Sequence, residues 1–256
     1  MVFGVTPRTS RFRAASSAPA GRLNLVQDMA SRGQNDFASL PRFAAGLYSI
    51  LTRTRGIQTQ HSEIASELAR RQERGKVLDV GTGPGTLLIE LDGLNPALEL
   101  FGLDVSRSMV ELASKRLHAL GAKVRQGDIR HSGYDDNFFD LVTCTGSFYL
   151  WDTPVQCLDE IFRILKPHRS ACLYETYSDC DRSEVRAAIQ ANLKGEALFR
   201  RVLAPWFFAK QLRMTYTVDE VSGIVRQTRF AQAHTIERIR LAGVPAWLRI
   251  TLTKEG

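Results

Sequence analysis

Lys76-Val77-Leu78-Asp79-Val80-Gly81-Thr82-Gly83-Pro84-Gly85-Thr86 joins a short apolar run to a turn with glycine at alternate positions. Glycine reaches positive φ without a Cβ penalty and lets a ligand approach the backbone closely. A helix that begins at such a turn presents unpaired N–H groups to a polar or anionic ligand. Asp104 closes the next apolar run, Phe101-Gly102-Leu103-Asp104-Val105-Ser106. A carboxylate roughly twenty residues beyond the glycines suits a paired hydrogen bond to ribose hydroxyls. Together these features describe a site for a nucleoside-bearing ligand. The dinucleotide fingerprint requires a third glycine or alanine where Thr86 stands, so the loop departs from the nicotinamide pattern.

The elements that must hold these residues follow from periodicity. From Lys76 onward, short apolar runs alternate with helical stretches, the pattern of a parallel sheet covered on both faces. Strands are expected near 76–80, 98–103, 123–126, 139–144, 170–176, 233–240 and 246–253, and helices over 86–91, 108–120 and 154–165. In the last helix Val155, Leu158, Phe162 and Leu165 recur at helical spacing, with Thr153 as cap and Pro154 in the first turn. Thr217-Val218-Asp219-Glu220 is a capping box that starts a further helix. Upstream, 36–71 reads as two helices, with Phe43, Leu47, Ile50 and Leu51 on one apolar face and Ile64 and Leu68 on another. These helices are expected to cap the domain.

With 256 residues, 44% of them hydrophobic, the chain can bury one sizeable core. The expected division is a disordered basic leader over 1–35 and a single domain over 36–256. Within that domain, 36–71 is the helical cap, 72–180 the ligand-binding half, and 181–256 a lid or insertion followed by the C-terminal strands. The net charge of +7 is concentrated in residues 1–71, which hold ten arginines, no lysine and four acidic residues. The remainder is close to neutral, which argues against a phosphate-tracking surface. Residues 1–27 have four arginines and no acid, the composition of an organelle import leader or of an over-extended start before Met29. No apolar run approaches the ~20 residues of a membrane span. Cys144, Cys157, Cys172 and Cys180 form no C-x-x-C pair and share no metal spacing with histidine. The expectation is reduced thiols, no metal, and a cytoplasmic location.

The 77–80 strand, the Gly81–Gly85 turn, Asp104-Val105-Ser106 with Met109, and Gly127-Asp128-Ile129 together resemble the class I S-adenosylmethionine-dependent methyltransferases. The small-molecule subgroup related to quinone-biosynthesis methyltransferases is the most similar. The resemblance implies a doubly wound, seven-stranded, mostly parallel α/β sheet of the Rossmann-like methyltransferase fold. It implies that Gly81, Thr82, Gly83 and Gly85 hold the methionine portion of S-adenosyl-L-methionine, with Asp79 orienting its ammonium. Asp104 and the adjoining Val105 would meet the ribose, Met109 would lie against adenine, and Asp128 and Ile129 would bind the adenine edge. Thr145 borders the cofactor, and Ser147, Phe148, Tyr149 and Trp151 border the acceptor. Glu160-Ile161-Phe162-Arg163-Ile164-Leu165-Lys166-Pro167 also resembles the family, which usually continues with two glycines where His168-Arg169 stand here.

Methyl transfer from a sulfonium is an in-line displacement that needs alignment and exclusion of water. Tyr149, Asp152, His131 and Glu175 are weighed as bases, and none is assigned. The Asn/Asp-Pro-Pro-aromatic motif of base-modifying amino methyltransferases is absent, since Thr145-Gly146-Ser147-Phe148 occupies that place. Phe148, Tyr149, Trp151 and the Pro205-Trp206-Phe207-Phe208 stretch point to a small apolar or aromatic acceptor. An RNA or protein acceptor docked through the basic N-terminal arm, and a non-catalytic cofactor-binding scaffold, stand as alternatives.

Overall fold

The computed structural model describes residues 54–256. The helix expected over Phe43–Leu51 and the basic leader lie outside the described residues. The described chain starts with α1 (Arg55–Arg71), followed by β1 (Gly75–Val80), α2 (Thr86–Leu94), β2 (Leu98–Asp104), α3 (Arg107–Leu117) and β3 (Lys123–Gln126). Then come β4 (Phe139–Thr145), α4 (Pro154–Ile164), β5 (Leu165–Thr176), α5 (Arg182–Asn192), α6 (Leu198–Met214), α7 (Val218–Val225), β6 (His234–Leu241) and β7 (Val244–Thr253). The seven strands form one sheet in the order β3-β2-β1-β4-β5-β7-β6. β1 to β5 pair in parallel, and β7 runs antiparallel to both β5 and β6. The sheet order reverses between β1 and β4. Helices that follow these two strands lie on opposite faces, which opens a crevice at the strand carboxyl ends.

Alternating side chains place neighbours on opposite faces of the sheet. Leu78, Val80, Val142 and Leu173 pack with Leu158 and Ile161 of α4 and with Ile224 of α7. Val77, Leu141 and Tyr174 pack on the other face with Ile64 and Leu68 of α1 and Leu88 and Leu91 of α2. Strands buried on both faces read as continuous apolar runs, which is why β1 and β4 were legible.

The capping box forms as expected: Glu220 N donates to Thr217 Oγ1 at 3.2 Å and Thr217 N to Glu220 Oε2 at 2.7 Å. Thr153 does not cap α4 with its side chain; its hydroxyl turns instead to Asp152 Oδ1 at 3.3 Å. Pro154 lacks an N–H, so the first turn has one fewer donor to satisfy. β5 begins at Leu165, five residues ahead of the expected 170, through a register shift against β4 between Phe139 and Leu141. At that irregularity His168 takes φ +58°, a left-handed conformation that favours glycine. The strand is pinned around it. His168 N donates to Lys254 O, Lys254 N donates to Arg169 O, and Lys166 Nζ donates to both oxygens of Asp140. The left-handed region costs a non-glycine residue ~1–2 kcal/mol. His168→Gly should therefore stabilise the protein by about 1 kcal/mol, raising its thermal midpoint by ~2–4 °C in calorimetry; an unchanged or lower midpoint would refute the strain.

Candidate functional site

The crevice at the carboxyl ends of β1, β2 and β4 opens into a cavity of about 380 Å³. Its floor is the turn after β1, where Gly81, Gly83 and Gly85 sit at φ +71°, +52° and +74°. Each is constrained differently. A Cβ on Gly81 would come within 2.7 Å of Ser147 Cβ, and one on Gly85 within 2.6 Å of Leu117 Cδ1. At Gly83 a Cβ would meet no protein atom and would project into open space. Gly81 and Gly85 thus serve backbone packing, whereas Gly83 clears room for a ligand.

The turn is tied to its neighbours by named bonds. Gly83 N donates to Asp104 Oδ2 at 2.8 Å, and Ser106 N donates to Asp104 Oδ1 at 2.8 Å. Ser147 Oγ donates to Val80 O at 3.2 Å. Arg116 Nη1, from α3, donates to Pro84 O at 2.5 Å and to Thr86 Oγ1 at 3.2 Å. β1 delivers Asp79 beside this turn, 3% exposed, and β2 delivers Asp104, 9% exposed. Burial pushes Asp79 up to about 7; the Thr82 hydroxyl opposes the shift and the charge of Asp104 adds to it. Burial raises Asp104 as well, against the hydrogen bonds from Ser106 and Gly83. Among the described residues no cationic side chain is paired with either carboxylate.

Asp79, Gly81, Thr82, Gly83, Asp104, Val105, Met109, Asp128, Ile129 and Thr145 all line this one cavity, as do Ser147, Tyr149 and Trp151. Gly85 stands behind the wall as the start of α2. Phe148 is excluded from the cavity: it is fully buried, with Trp151 edge-on at 5.1 Å and Tyr216 at 5.5 Å. The short 3-10 turn over Phe148–Leu150 rotates Phe148 inward, so neighbours in sequence face opposite ways. Asp128 accepts from Arg130 Nε at 2.9 Å and Nη2 at 2.6 Å, and Arg130 also reaches Asp152 at 3.0 Å. Burial alone would raise the Asp128 carboxyl, but the Arg130 contacts outweigh it and hold the group low. Thr145 Oγ1 is buried with no hydrogen-bond partner among the described residues.

Of the four side chains weighed as bases, only Tyr149 reaches the cavity. Asp152 is engaged by Arg130, and Glu175 turns to the backbone, accepting from Tyr149 N at 3.2 Å and Thr176 N at 2.8 Å. The sequence places the N-terminal helices and 205–208 over the pocket but does not single out the residues of the opposite wall, apart from Phe208. α1 contributes Ile57, Gln58, Gln60 and His61, and α5, α6 and β7 contribute Asn192, Phe208, Gln211 and Trp247. His61 Nδ1 lies 2.8 Å from Ile57 O, and burial lowers its pKa, which favours the neutral ring. A signal existed in part: α1 places Ile57, Gln60, His61 and Ile64 at helical spacing. Phe208 faces the cavity while Trp206 is 59% exposed, so the expected aromatic roof is split between the two sides of α6.

Residues 77–168 match the family described as "Methyltransferase domain". A demethylmenaquinone methyltransferase of Deinococcus radiodurans is 33% identical over 153 residues, which cover 58% of this chain and 62% of that protein. The chain thus spans about three-fifths or less of the first curated relatives it matches. An S-adenosyl-L-methionine-dependent methyltransferase of Methanococcus maripaludis, itself described as putative, superposes with a TM-score of 0.66 at 20% identity, covering 85% of this chain and 95% of that one. The plantazolicin methyltransferase BamL, crystallised with a triazolic desmethylPZN analog and SAH, gives a TM-score of 0.69 at 14% identity, over 92% and 99%. The fold is that of the class I methyltransferases, and residues 77–168 are similar to the methyltransferase domain family.

Asp79 carries a pH signature. Its folded-state value of about 7 lies above the ordinary 3.8 of the unfolded chain, so the folded state holds the extra proton between them. Stability from this group is complete below about pH 4 and is lost as pH rises through 7. Asp79→Asn should flatten this decline and leave the ligand-free variant more stable than the parent at pH 8, on the order of 2–4 kcal/mol. Parallel denaturation curves at pH 4.5 and pH 8 test this, and an equal gain at both values would sink the assignment.

Proposed function

We propose that this chain is an S-adenosylmethionine-dependent methyltransferase acting on a small apolar or aromatic molecule in the cytoplasm. The observation that carries the reading is the buried pair Asp79 and Asp104 at the glycine turn, with neither carboxylate paired to a side-chain cation among the described residues. A ligand that completes this site brings positive charge and hydroxyl donors. An amino-acid sulfonium nucleoside brings both, whereas the pyrophosphate of a dinucleotide would face two carboxylates. On this reading Asp79 holds the ammonium, and Gly83 opens the turn to the methionine portion. Asp104, already fixed by Gly83 N and Ser106 N, keeps lone pairs for ribose hydroxyls. Met109 and Ile129 offer apolar surface to the base. Asp128 is held at the base end of the cavity by Arg130, whose backbone N–H donates to Oδ1 and whose guanidinium donates to Oδ2.

When bound, the cofactor supplies an electrophilic methyl group, which passes to the acceptor's lone pair as its bond to sulfur breaks. The chain's part is alignment and exclusion of water, effects worth ~7–11 kcal/mol when two reactants are well oriented. Ile57 from α1, Phe208 from α6, Trp247 from β7 and Trp151 give the acceptor side of the cavity an apolar lining, while Gln58 and Gln211 supply polar anchors. The near-neutral charge of residues 72–256 favours a small acceptor over nucleic acid. The four unpaired cysteines suit a reducing cytoplasm, and no described helix is long and apolar enough to cross a membrane.

Isothermal titration with S-adenosylhomocysteine and, separately, NADH tests the cofactor. We expect binding of the first, none of the second, and at least a tenfold loss, about 1.4 kcal/mol, in Asp104→Ala. NADH binding, or indifference of S-adenosylhomocysteine affinity to Asp104, would overturn the assignment.

A further inference from the structure

The cavity is charged at one end and uncharged at the other. Asp79, Asp104 and Asp128 reach it from the strand ends, Glu90 from α2 and Arg116 from α3. By contrast, Ile189 and Asn192 from α5, Phe208 and Gln211 from α6, and Val244 and Trp247 from β7 bring no charge to the lining. A charged group placed among them would lose its water without gaining a counter-ion. This lobe therefore suits a neutral molecule.

Helix α1 sends one buried polar side chain toward that lobe. At 100° per residue, Gly56, Gln60, Glu63 and Glu67 fall within an arc of about 60°. Three of the four have fixed neighbours. A Cβ on Gly56 would lie 3.0 Å from Asn192 Cβ, Glu63 Oε2 accepts from Ala242 N at 2.8 Å, and Glu67 Oε1 accepts from Arg249 Nη1 at 2.9 Å. The arc thus faces α5 and the β6–β7 hairpin. Gln60 lines the cavity and is 9% exposed, yet its amide makes no hydrogen bond among the described residues, and protein encloses neither amide atom. The other amides of the lobe are engaged: Asn192 Nδ2 donates to Ala242 O at 2.9 Å, and Gln211 Nε2 to Thr176 Oγ1 at 3.5 Å. Gln58 is exposed, where water can serve it. His61, the next residue on α1, falls outside the arc and within reach of the charges of Glu90 and Arg116.

A buried amide is unfavourable until its donor and acceptor are both met. The two stand side by side on one planar group, so the matching partner is itself an acceptor beside a donor. We propose that Gln60 sets acceptor specificity. Through paired hydrogen bonds it holds a neutral molecule whose polar head carries a carbonyl oxygen beside an N–H or O–H, with an apolar body against Phe208 and Trp247. The inference rests on the methyltransferase reading, in which the far end of that molecule meets the methyl donor. Gln60 is a positioning residue and takes no part in the bond change.

The probe is naphthalene-2-carboxamide, titrated calorimetrically into the full chain with and without S-adenosylhomocysteine, beside naphthalene-2-carboxylate. The carboxamide should bind at least tenfold tighter than the carboxylate. Gln60→Met should weaken the carboxamide at least tenfold and leave S-adenosylhomocysteine binding as it is in the parent. Gln60→Glu separates recognition from folding, because it should gain a ligand: naphthalene-2-carboxamidinium should bind it at least tenfold tighter than it binds the parent. Absence of carboxamide binding, equal binding of carboxamide and carboxylate, or a carboxamide affinity indifferent to Gln60→Met would overturn the proposal. So would a loss in Gln60→Met without the gain in Gln60→Glu. If S-adenosylhomocysteine does not bind the parent, the cofactor reading fails, and the carboxamide titration of the chain alone still decides the role of Gln60.

Discussion

The hydrogen bond from Gly83 N to Asp104 Oδ2 fixes the tip of the turn after β1 to the end of β2. Everything that shapes the cavity floor depends on it. The turn can approach β2 so closely because Gly102 leaves room for Thr82, whose Cγ2 would lie 2.9 Å from a Cβ at that position. The same turn leans on β4 through Gly81 and Ser147, and on α3 through Arg116 and Pro84. Three elements thus converge on five residues of backbone, and the carboxylate that would greet a ligand is also the one that holds the turn in place.

That arrangement costs stability in the absence of a partner. Asp79 and Asp104 are dehydrated together, and for Asp104 the amides of Gly83 and Ser106 ease the penalty without cancelling the charge. Glu175, also pushed up to about 7 by burial, lies outside the cavity lining, and its two oxygens accept from the backbone amides of Tyr149 and Thr176. One buried acid is internal scaffolding and the other two are left facing a void. The difference lies in position, since burial is similar for all three and only Asp79 and Asp104 line the cavity.

Strand positions were legible because a strand covered on both sides leaves an uninterrupted apolar signature, as in Val77-Leu78 and Leu141-Val142. The glycine turn and Asp104 were legible because positive φ and a strand-end carboxylate each restrict residue choice. The acceptor wall was not. Gln58, His61, Asn192, Gln211 and Trp247 come from four elements spread over nearly two hundred residues, and no local spacing records that they meet. Phe148 shows the limit at finer scale, for aromatic character could not reveal which way a 3-10 turn would point the ring. At the His168-Arg169 departure from the family pattern a non-glycine residue takes a left-handed backbone, and the bonds to Lys254 and Asp140 hold the strand around it.

The placement of β7 between β5 and β6 bears on how the chain is assembled. β6 makes no ladder with β5 and reaches the sheet only through β7, which follows it in sequence. During synthesis the five parallel strands, with the glycine turn and both carboxylates among them, can therefore assemble while β5 still presents a bare edge. An open edge of that kind is a site for pairing with foreign strands. The interval between release of β5 and arrival of β7 from the ribosome is the window in which the nascent protein is most exposed to misassociation.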